Sequence, residues 1–277
     1  MISLPIICSN GIGDSFLVLG RVPIAILGKL GFRFSIFYTT AEHPARKIME
    51  PFFRGIRYCE YKGAEPTSLQ KWVFSKMMSL SMRTRKTWKP PFDSLAKIKG
   101  SSDKLKRILL HTHLDGHHGW KGATAKLWPI ERWVELCKCL REEGWEISIL
   151  EWDSNSRSEL FRQCSFLRDG RMSTDTETFQ SFSEYHCLFS VDSWSKYVAA
   201  WYSVPQVVVV PDLRVGYCGF ENVSADEFAG WWMHGILNRR EVRIAGLEKR
   251  GERYDYSLRS FADLGVRQAI KLIREVS

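Results

Sequence analysis

Apolar and polar positions alternate along this chain in blocks that predict strands followed by helices. Short runs rich in apolar, aromatic and β-branched side chains predict buried strands. These runs are residues 2–8, 33–38, 107–111, 145–150, 187–191 and 206–210. Apolar side chains at helical spacing predict helices over 15–30, 130–140 and 193–202, with Gly31 and Gly144 ending the first two. Strands that alternate with helices indicate parallel sheets, so we expect an α/β protein.

The strand–helix alternation occurs twice, which predicts two domains. We expect an N-terminal Rossmann-like domain over residues 1–104 and a C-terminal one over 105–277, with the C-terminal helix free to pack back on the first. Parallel sheets bind ligands outside the carboxyl ends of their strands. We therefore expect the two sheets to face a central cleft.

Composition restricts the class of protein. The chain has 277 residues, of which 44% are hydrophobic and 26% charged, which excludes an intrinsically disordered protein. No apolar run reaches the roughly 20 residues of a membrane span, and no signal-peptide pattern opens the sequence. The seven cysteines include no CxxC pair, so we expect free thiols and a cytoplasmic location, at the inner membrane face or in a host cell if the protein is phage-encoded.

Positive charge is concentrated in one segment. The formal net charge is +9, and residues 71–107 contain eleven Lys and Arg against two Asp. A basic segment of this kind attracts nucleic acid, anionic lipid headgroups or phosphorylated glycans. The alternative is a solvated basic loop without a partner.

The first candidate for chemistry is Gly11-Ile12-Gly13-Asp14, between a predicted strand and a predicted helix. Gly11 and Gly13 permit a tight turn and a close backbone approach to phosphate at the helix start. Asp14 is either the cap of that helix or a carboxylate that accepts a proton from a bound hydroxyl.

Two further candidates lie at predicted strand–helix junctions in the second half of the chain. Lys126 precedes a helix start, where a positive side chain and the helix dipole together suit a diphosphate. Asp192 follows a strand, and Ser193 and Ser195 stand beside the free amides of the next helix. The structural alternatives are a solvated lysine and an aspartate that caps its helix.

These three segments, in this order, resemble glycosyltransferase family 9, the ADP-heptose:lipopolysaccharide heptosyltransferases. The resemblance is carried by GIGDSFLVLGRVPIAILGKLGF, KLWPIERWVELCKCLREEGWEISIL and DSWSKYVAAWYSVPQVVVV, about half of the chain. It implies a GT-B fold and inverting, metal-independent transfer from a nucleotide sugar, without a cofactor. It also implies Asp14 as the base, Lys126 as the group that neutralises the diphosphate, and a donor-binding loop. That loop comprises Asp192, Ser193, Ser195, Lys196 and Tyr197.

The sequence departs from the family pattern at two loop positions. Trp194 replaces a glycine and Tyr197 replaces a histidine, which predicts either a different donor or a degenerate site. The N-terminal domain is also short for this family. A lipopolysaccharide acceptor is therefore not carried over directly.

A histidine-rich run, HTHLDGHH at residues 111–118, offers a rival interpretation. It resembles the H-x-H-x-D-H zinc motif of the metallo-β-lactamase fold, except that Gly116 is inserted and shifts the register of the ligands. We otherwise expect His111 and His113 to line the cleft.

The sequence therefore predicts a glycosyltransferase that moves a sugar from a nucleotide sugar onto a hydroxyl of an anionic acceptor. The acceptor is either a phosphorylated glycan or lipopolysaccharide core, or DNA with a hydroxymethylated base, held by the segment 71–107. The alternatives are a zinc hydrolase and a nucleic-acid-binding module on an inactive transferase scaffold.

Overall fold

The computed structural model describes most of the chain as two compact units. The described residues are 3–8, 11–39, 45–82, 88, 106–112, 123–151, 154–215, 221–233, 235–237 and 239–277. The first unit comprises residues 1–99 with 200–202, and the second comprises 100–199 with 203–277. The division between them falls among residues 89–105, outside the described residues, so the boundary at 104/105 stays a prediction.

The first unit is built on a parallel sheet of three strands in the order β1-β2-β3. The strands are β1 (Ser3–Cys8), β2 (Arg33–Tyr38) and β3 (Cys59–Tyr61), and the helices are α1 (Ile12–Arg21), α2 (Ile24–Lys29), α3 (Ala45–Arg54) and α4 (Ser68–Met82). Phe16, Phe52 and Phe53 are buried in its core. Pro5 lies in β1, which is at the edge of the three strands among the described residues and so tolerates a residue without an N–H.

The helix predicted over 15–30 is two helices, so that prediction is wrong in its continuity. α1 ends at Arg21 and α2 begins at Ile24, and Val22 between them has an extended backbone with φ −101° and ψ 123°. Pro23 is the cause, because it disfavours the helical conformation in the residue before it and has no N–H to donate. Gly31, at φ +92°, follows α2 as expected.

The second unit is built on a parallel sheet of six strands in the order β6-β5-β4-β7-β8-β9. The strands are β4 (Arg107–His111), β5 (Glu146–Leu150), β6 (Arg168–Asp169), β7 (Cys187–Val191), β8 (Gln206–Val209) and β9 (Val242–Ala245). The helices are α5 (Ile130–Glu142), α6 (Ser154–Gln163), α7 (Asp175–Ser181), α8 (Ser195–Tyr202), α9 (Ala225–Trp231) and α10 (Val266–Val276). An antiparallel hairpin, β10 (Leu247–Arg250) and β11 (Arg253–Tyr256), follows β9. The predicted α/β class with parallel sheets is confirmed.

Tryptophans anchor the segment that leads into α5. Trp128 is stacked on Phe261 at 4.9 Å between ring centroids, and its indole N–H donates to the carbonyl of Leu264 at 3.0 Å. Trp133 meets Trp128 edge-on at 5.0 Å, and both side chains are buried. These contacts fix the 3₁₀ turn Ala123–Lys126 just before them.

The C-terminal helix α10 packs in the second unit. Its buried side chains Val266, Ala269, Ile270 and Ile273 join the apolar core of that unit, next to α5 and the strands β7 to β9. The apolar positions recur every three or four residues, so one face of the helix meets this core. The sequence alone was also compatible with packing of this helix on the N-terminal domain.

The strand order of the second unit reverses direction between β4 and β7. From β4 the chain adds β5 and β6 on one side and then β7, β8 and β9 on the other. The crevice outside the carboxyl ends of two such strands is where open parallel sheets bind ligands. That edge carries the residues described next.

Candidate functional site

Asp192 is the centre of a buried charge cluster at the carboxyl end of β7. The Lys126 ammonium donates to the Asp192 carbonyl oxygen at 2.8 Å and to its carboxylate Oδ2 at 3.2 Å. The Lys196 ammonium, one helical turn further along, donates to the other carboxylate oxygen, Oδ1. The side chain of Lys196 is 2% exposed, that of Asp192 6% and that of Lys126 13%.

Two ammonium groups thus share one carboxylate, which leaves this trio with one excess positive charge. Burial alone would raise the pKa of the Asp192 carboxyl, but the charges of Lys196 and Lys126 and their hydrogen bonds outweigh burial and hold that pKa below its usual value. Asp192 is therefore ionised at neutral pH.

The lowered pKa of Asp192 predicts a specific loss of stability in acid. A carboxyl whose folded pKa lies below its unfolded value of 3.8 contributes stability that is fully present well above that value and disappears as the pH falls through the folded pKa. The difference in unfolding free energy between the wild type and Asp192→Asn should therefore stay constant down to about pH 5 and shrink below about pH 4. Urea unfolding at a series of pH values measures it, and a difference independent of pH would contradict this assignment.

Ser195 and His111 form a second polar contact at the same edge. The His111 Nδ1 and the Ser195 Oγ lie 2.8 Å apart, and both residues are buried. His111 ends β4 and Ser195 begins α8. The Ser195 hydroxyl therefore contacts this ring, while Ser193 is partly exposed in the turn before α8. Because α8 begins at Ser195, Asp192 lies two residues before the cap position and does not cap the helix.

Trp194 and Tyr197, the two departures from the family pattern, are both buried. The Trp194 ring lies 5.1 Å from the His111 ring and 5.1 Å from the Phe179 ring. The Tyr197 hydroxyl donates to the Trp232 carbonyl at 2.6 Å, and its ring centroid lies 4.6 Å from the Lys196 ammonium. In this structure both side chains pack the loop, and the proposed donor contact of Tyr197 is untested.

Asp14 lies in the first turn of α1 in the first unit. α1 begins at Ile12 with Gly11 at the cap position, so Asp14 does not cap the helix. The backbone of Gly11 has an ordinary φ of −83°, and an added Cβ would come only within 4.0 Å of the Gly13 nitrogen. Gly11 is thus not required by the turn itself. Gly11 and Gly13 leave two positions of this partly exposed helix start without a side chain.

Buried polar side chains follow and precede Asp14 along the chain. The Ser15 hydroxyl donates to the Gly11 carbonyl oxygen at 3.3 Å, and the buried side chains of Cys8 and Tyr38 end the paired strands β1 and β2. Burial raises the pKa of Tyr38 to about 12, and the Asp14 charge adds to that rise. Tyr38 therefore stays protonated at neutral pH.

Comparison with known proteins identifies the fold. No family model and no curated protein matches the sequence. Among solved structures, E. coli ADP-heptose lipopolysaccharide heptosyltransferase II aligns with 100% of this chain and 98% of its own, at TM-score 0.60 and 14% identity. The E. coli heptosyltransferase WaaC with ADP-2-deoxy-2-fluoro heptose covers 100% of both chains, at 0.56 and 10%. A glycosyltransferase family 9 structure from Veillonella parvula covers 99% of this chain and 97% of its own, at 0.56 and 12%.

The chain has the heptosyltransferase fold. The predicted GT-B class and the predicted resemblance are confirmed at that level. At these identities the likeness concerns the fold, and the roles of the individual residues stay predictions.

Two residues of the heptosyltransferase-like second unit were missed by the sequence analysis. The Thr112 hydroxyl donates to the Glu151 carboxylate oxygen Oε2 at 2.8 Å, and both residues are buried. Thr112 follows β4 and Glu151 follows β5, so both lie at the carboxyl edge. A polar residue directly after an apolar strand is the signal that would have found them.

Most of the histidine-rich run on which the zinc alternative depends lies outside the described residues. His113 and the remainder of the run to His118 fall among residues 113–122, which the structure does not describe. Within the described ranges, no group of three or more His, Cys, Asp and Glu side chains could hold a metal ion. The zinc hydrolase and the expected metal independence therefore both stay hypotheses.

Proposed function

We propose that this protein is a glycosyltransferase that moves a sugar from a nucleotide-sugar donor onto a hydroxyl of an anionic acceptor. The observation that carries the proposal is the pair of ammonium groups on one buried carboxylate, at the edge where the strand order reverses. The structural neighbours add support, since one of them is an ADP-heptose heptosyltransferase and another holds an ADP-heptose analogue. We infer an ADP-sugar donor as the first candidate.

Lys126 is the group that meets the donor diphosphate in this proposal. It is the more exposed of the two lysines and contacts Asp192 at a longer distance, whereas Lys196 is enclosed. Lys196 can neutralise Asp192 while Lys126 turns to a phosphate oxygen. A positive charge there stabilises the negative charge that develops on the leaving group.

Asp14 is the proposed general base. It accepts the proton of the acceptor hydroxyl as that oxygen attacks the anomeric carbon. The bond from the anomeric carbon to the diphosphate breaks in the same step, and the nucleoside diphosphate leaves with the electron pair. One displacement inverts the anomeric configuration, and no metal is needed if Lys126 carries the compensating charge.

The acceptor is proposed to be anionic because residues 71–107 carry most of the net positive charge. A phosphorylated glycan or lipid core and a hydroxymethylated DNA base both fit this charge. Transfer assays with each acceptor class distinguish between these two acceptors.

The described cysteines are free thiols, which supports a reducing compartment such as the cytoplasm.

A nucleotide-binding assay tests the donor site. Saturating ADP or an ADP-sugar should raise the melting temperature by a few degrees, because a ligand that binds only the folded state stabilises it. Lys126→Met should weaken that binding about tenfold to hundredfold, the worth of one hydrogen bond to a charged group. UDP-, GDP- and CDP-sugars in the same assay establish the nucleotide.

Lys138→Met is the matched control, since Lys138 is exposed on α5. It should bind nucleotide as the wild type does. Stabilisation by no nucleotide or nucleotide sugar would contradict the transferase, and stoichiometric zinc in the purified protein would favour the hydrolase. Equal affinity in both lysine variants would remove Lys126 from the site.

A further inference from the structure

Helix α4 packs on the first unit by one face, and that inner face contains only half of the apolar side chains of the helix. Met78 is buried and Phe74 half-buried where the helix packs on β1 and α1. The Ser81 hydroxyl on the same face donates to the Arg21 carbonyl oxygen. These contacts hold the helix in place by one side.

The outer face of α4 is also apolar. Leu69, Trp72 and Leu80 are 69%, 60% and 65% exposed. Of the large apolar side chains in the described part of the chain, only Leu30 is as exposed as these three. Their spacing, with Lys76 between Trp72 and Leu80, places them along one stripe about 16 Å long. Scattered exposed apolar residues need no explanation, but an ordered stripe indicates a binding surface.

The charge around this stripe is positive. Lys76 is exposed within the stripe, and its ammonium lies 5.9 Å from the centre of the Trp72 ring. Lys71 is exposed about 100° further round the helix from Trp72. The helix contains no Asp or Glu. Glu65, which precedes the helix, lies 3.9 Å from the Lys71 ammonium, and both side chains of that pair are well exposed to solvent.

We propose that the outer face of α4 docks on a bilayer that contains anionic phospholipid. Leu69, Trp72 and Leu80 would enter the boundary between headgroups and acyl chains, where Trp is favoured, while Lys71 and Lys76 meet lipid phosphates. Each helix that the structure describes is too short or too polar to cross a membrane. The helix would therefore lie in the plane of the surface.

Two other partners fit the stripe less well. A nucleic acid backbone offers phosphates to the lysines and a base to Trp72, but nothing apolar for Leu69 and Leu80. A second copy of this chain, joined through the same face about a two-fold axis, would bring the Lys76 side chains of both copies together. Only the bilayer uses the leucines, the tryptophan and the lysines at once.

Co-sedimentation of the full chain with vesicles tests the proposal without any substrate, so its result does not depend on the transferase assignment. The wild type should bind vesicles of equal parts phosphatidylcholine and phosphatidylglycerol, and should bind phosphatidylcholine alone more weakly. The triple variant Leu69→Gln/Trp72→Gln/Leu80→Gln should lose at least about tenfold in affinity, because it removes the apolar area that enters the bilayer. Lys71→Gln/Lys76→Gln should lose about tenfold on the anionic vesicles only.

Trp231→Gln is the control, because Trp231 is 42% exposed on α9 in the other unit. It should bind vesicles as the wild type does, and melting temperatures confirm that every variant is folded. Equal vesicle binding by the wild type and the triple variant would overturn the proposal. So would a triple variant that changes only self-association in sedimentation velocity, or only binding to DNA.

Discussion

Replacing Asp14 by Asn should reduce kcat about 10²–10⁴-fold, the usual worth of a general base. Asparagine keeps the size and hydrogen-bonding shape of the side chain but cannot take a proton. The helix start at Ile12 and the buried side chains of Ser15, Cys8 and Tyr38 remain in place, so the fold should persist. Steady-state transfer measured with the donor found in the nucleotide assay gives the result.

Measuring donor binding shows whether Asp14→Asn has lost only the chemical step or also its folded structure. Asp14→Asn should be stabilised by the nucleotide sugar as much as the wild type is, because the residues proposed to bind the donor belong to the second unit. Glu50→Gln is the matched control, since Glu50 is a carboxylate on α3 that pairs with Arg54 at 2.6 Å. It should transfer at the wild-type rate. Full activity in Asp14→Asn would show that another group accepts the proton.

Replacing Asp192 by Asn should lower the free energy of unfolding by about 3–5 kcal/mol at pH 7, the cost of breaking a buried ion pair from one side. The substitution removes the carboxylate from between two ammonium groups, one of which is 2% exposed. Lys126→Met should cost far less, because it leaves Asp192 and Lys196 as a balanced pair. Urea denaturation followed by circular dichroism measures both.

Asp169→Asn makes the same chemical change at an exposed site. The Asp169 side chain is 41% exposed and contacts Arg157 at 3.3 Å and Arg171 at 3.4 Å. An exposed pair contributes at most about 1 kcal/mol, so this variant should lose no more than that. Equal losses in Asp169→Asn and Asp192→Asn would mean that the Asp192 cluster is not buried as the structure has it.

Periodicity in the sequence predicted β1, β2, β4, β5, β7 and β8 because strands buried on both faces are short apolar runs, but it missed β3, β6 and β9, which are only two to four residues long. β2, β4 and β7 were predicted with their observed bounds, and Gly144 ends α5 with φ +84° as expected. The break between α1 and α2 was missed because apolar residues continue through Pro23, and the backbone effect of that proline outweighs the pattern.

The sequence predicted a contact in the candidate site only where the position of a residue at a strand–helix junction determines which residues lie next to it. Asp192 and Lys126 meet because the junctions that carry them reach the same sheet edge. The contact between Ser195 and His111 depends on side-chain direction, which spacing alone does not specify. Glu151 was missed because it is a single polar residue without a motif around it, and Thr112 because only the histidines and the aspartate of the run HTHLDGHH were considered as functional groups.

The strand order also has a consequence for the order in which the second unit folds during its synthesis. β4 is the first strand of that unit to leave the ribosome, yet it occupies the middle of the sheet, and Lys126 and Asp192 are 66 residues apart. The charge cluster can therefore assemble only after β7 has been synthesised and paired, a non-local step of the slow kind. Local unfolding that begins at the outer strands β6 and β9 would leave it intact, so the cluster should be among the last parts of this unit to come apart.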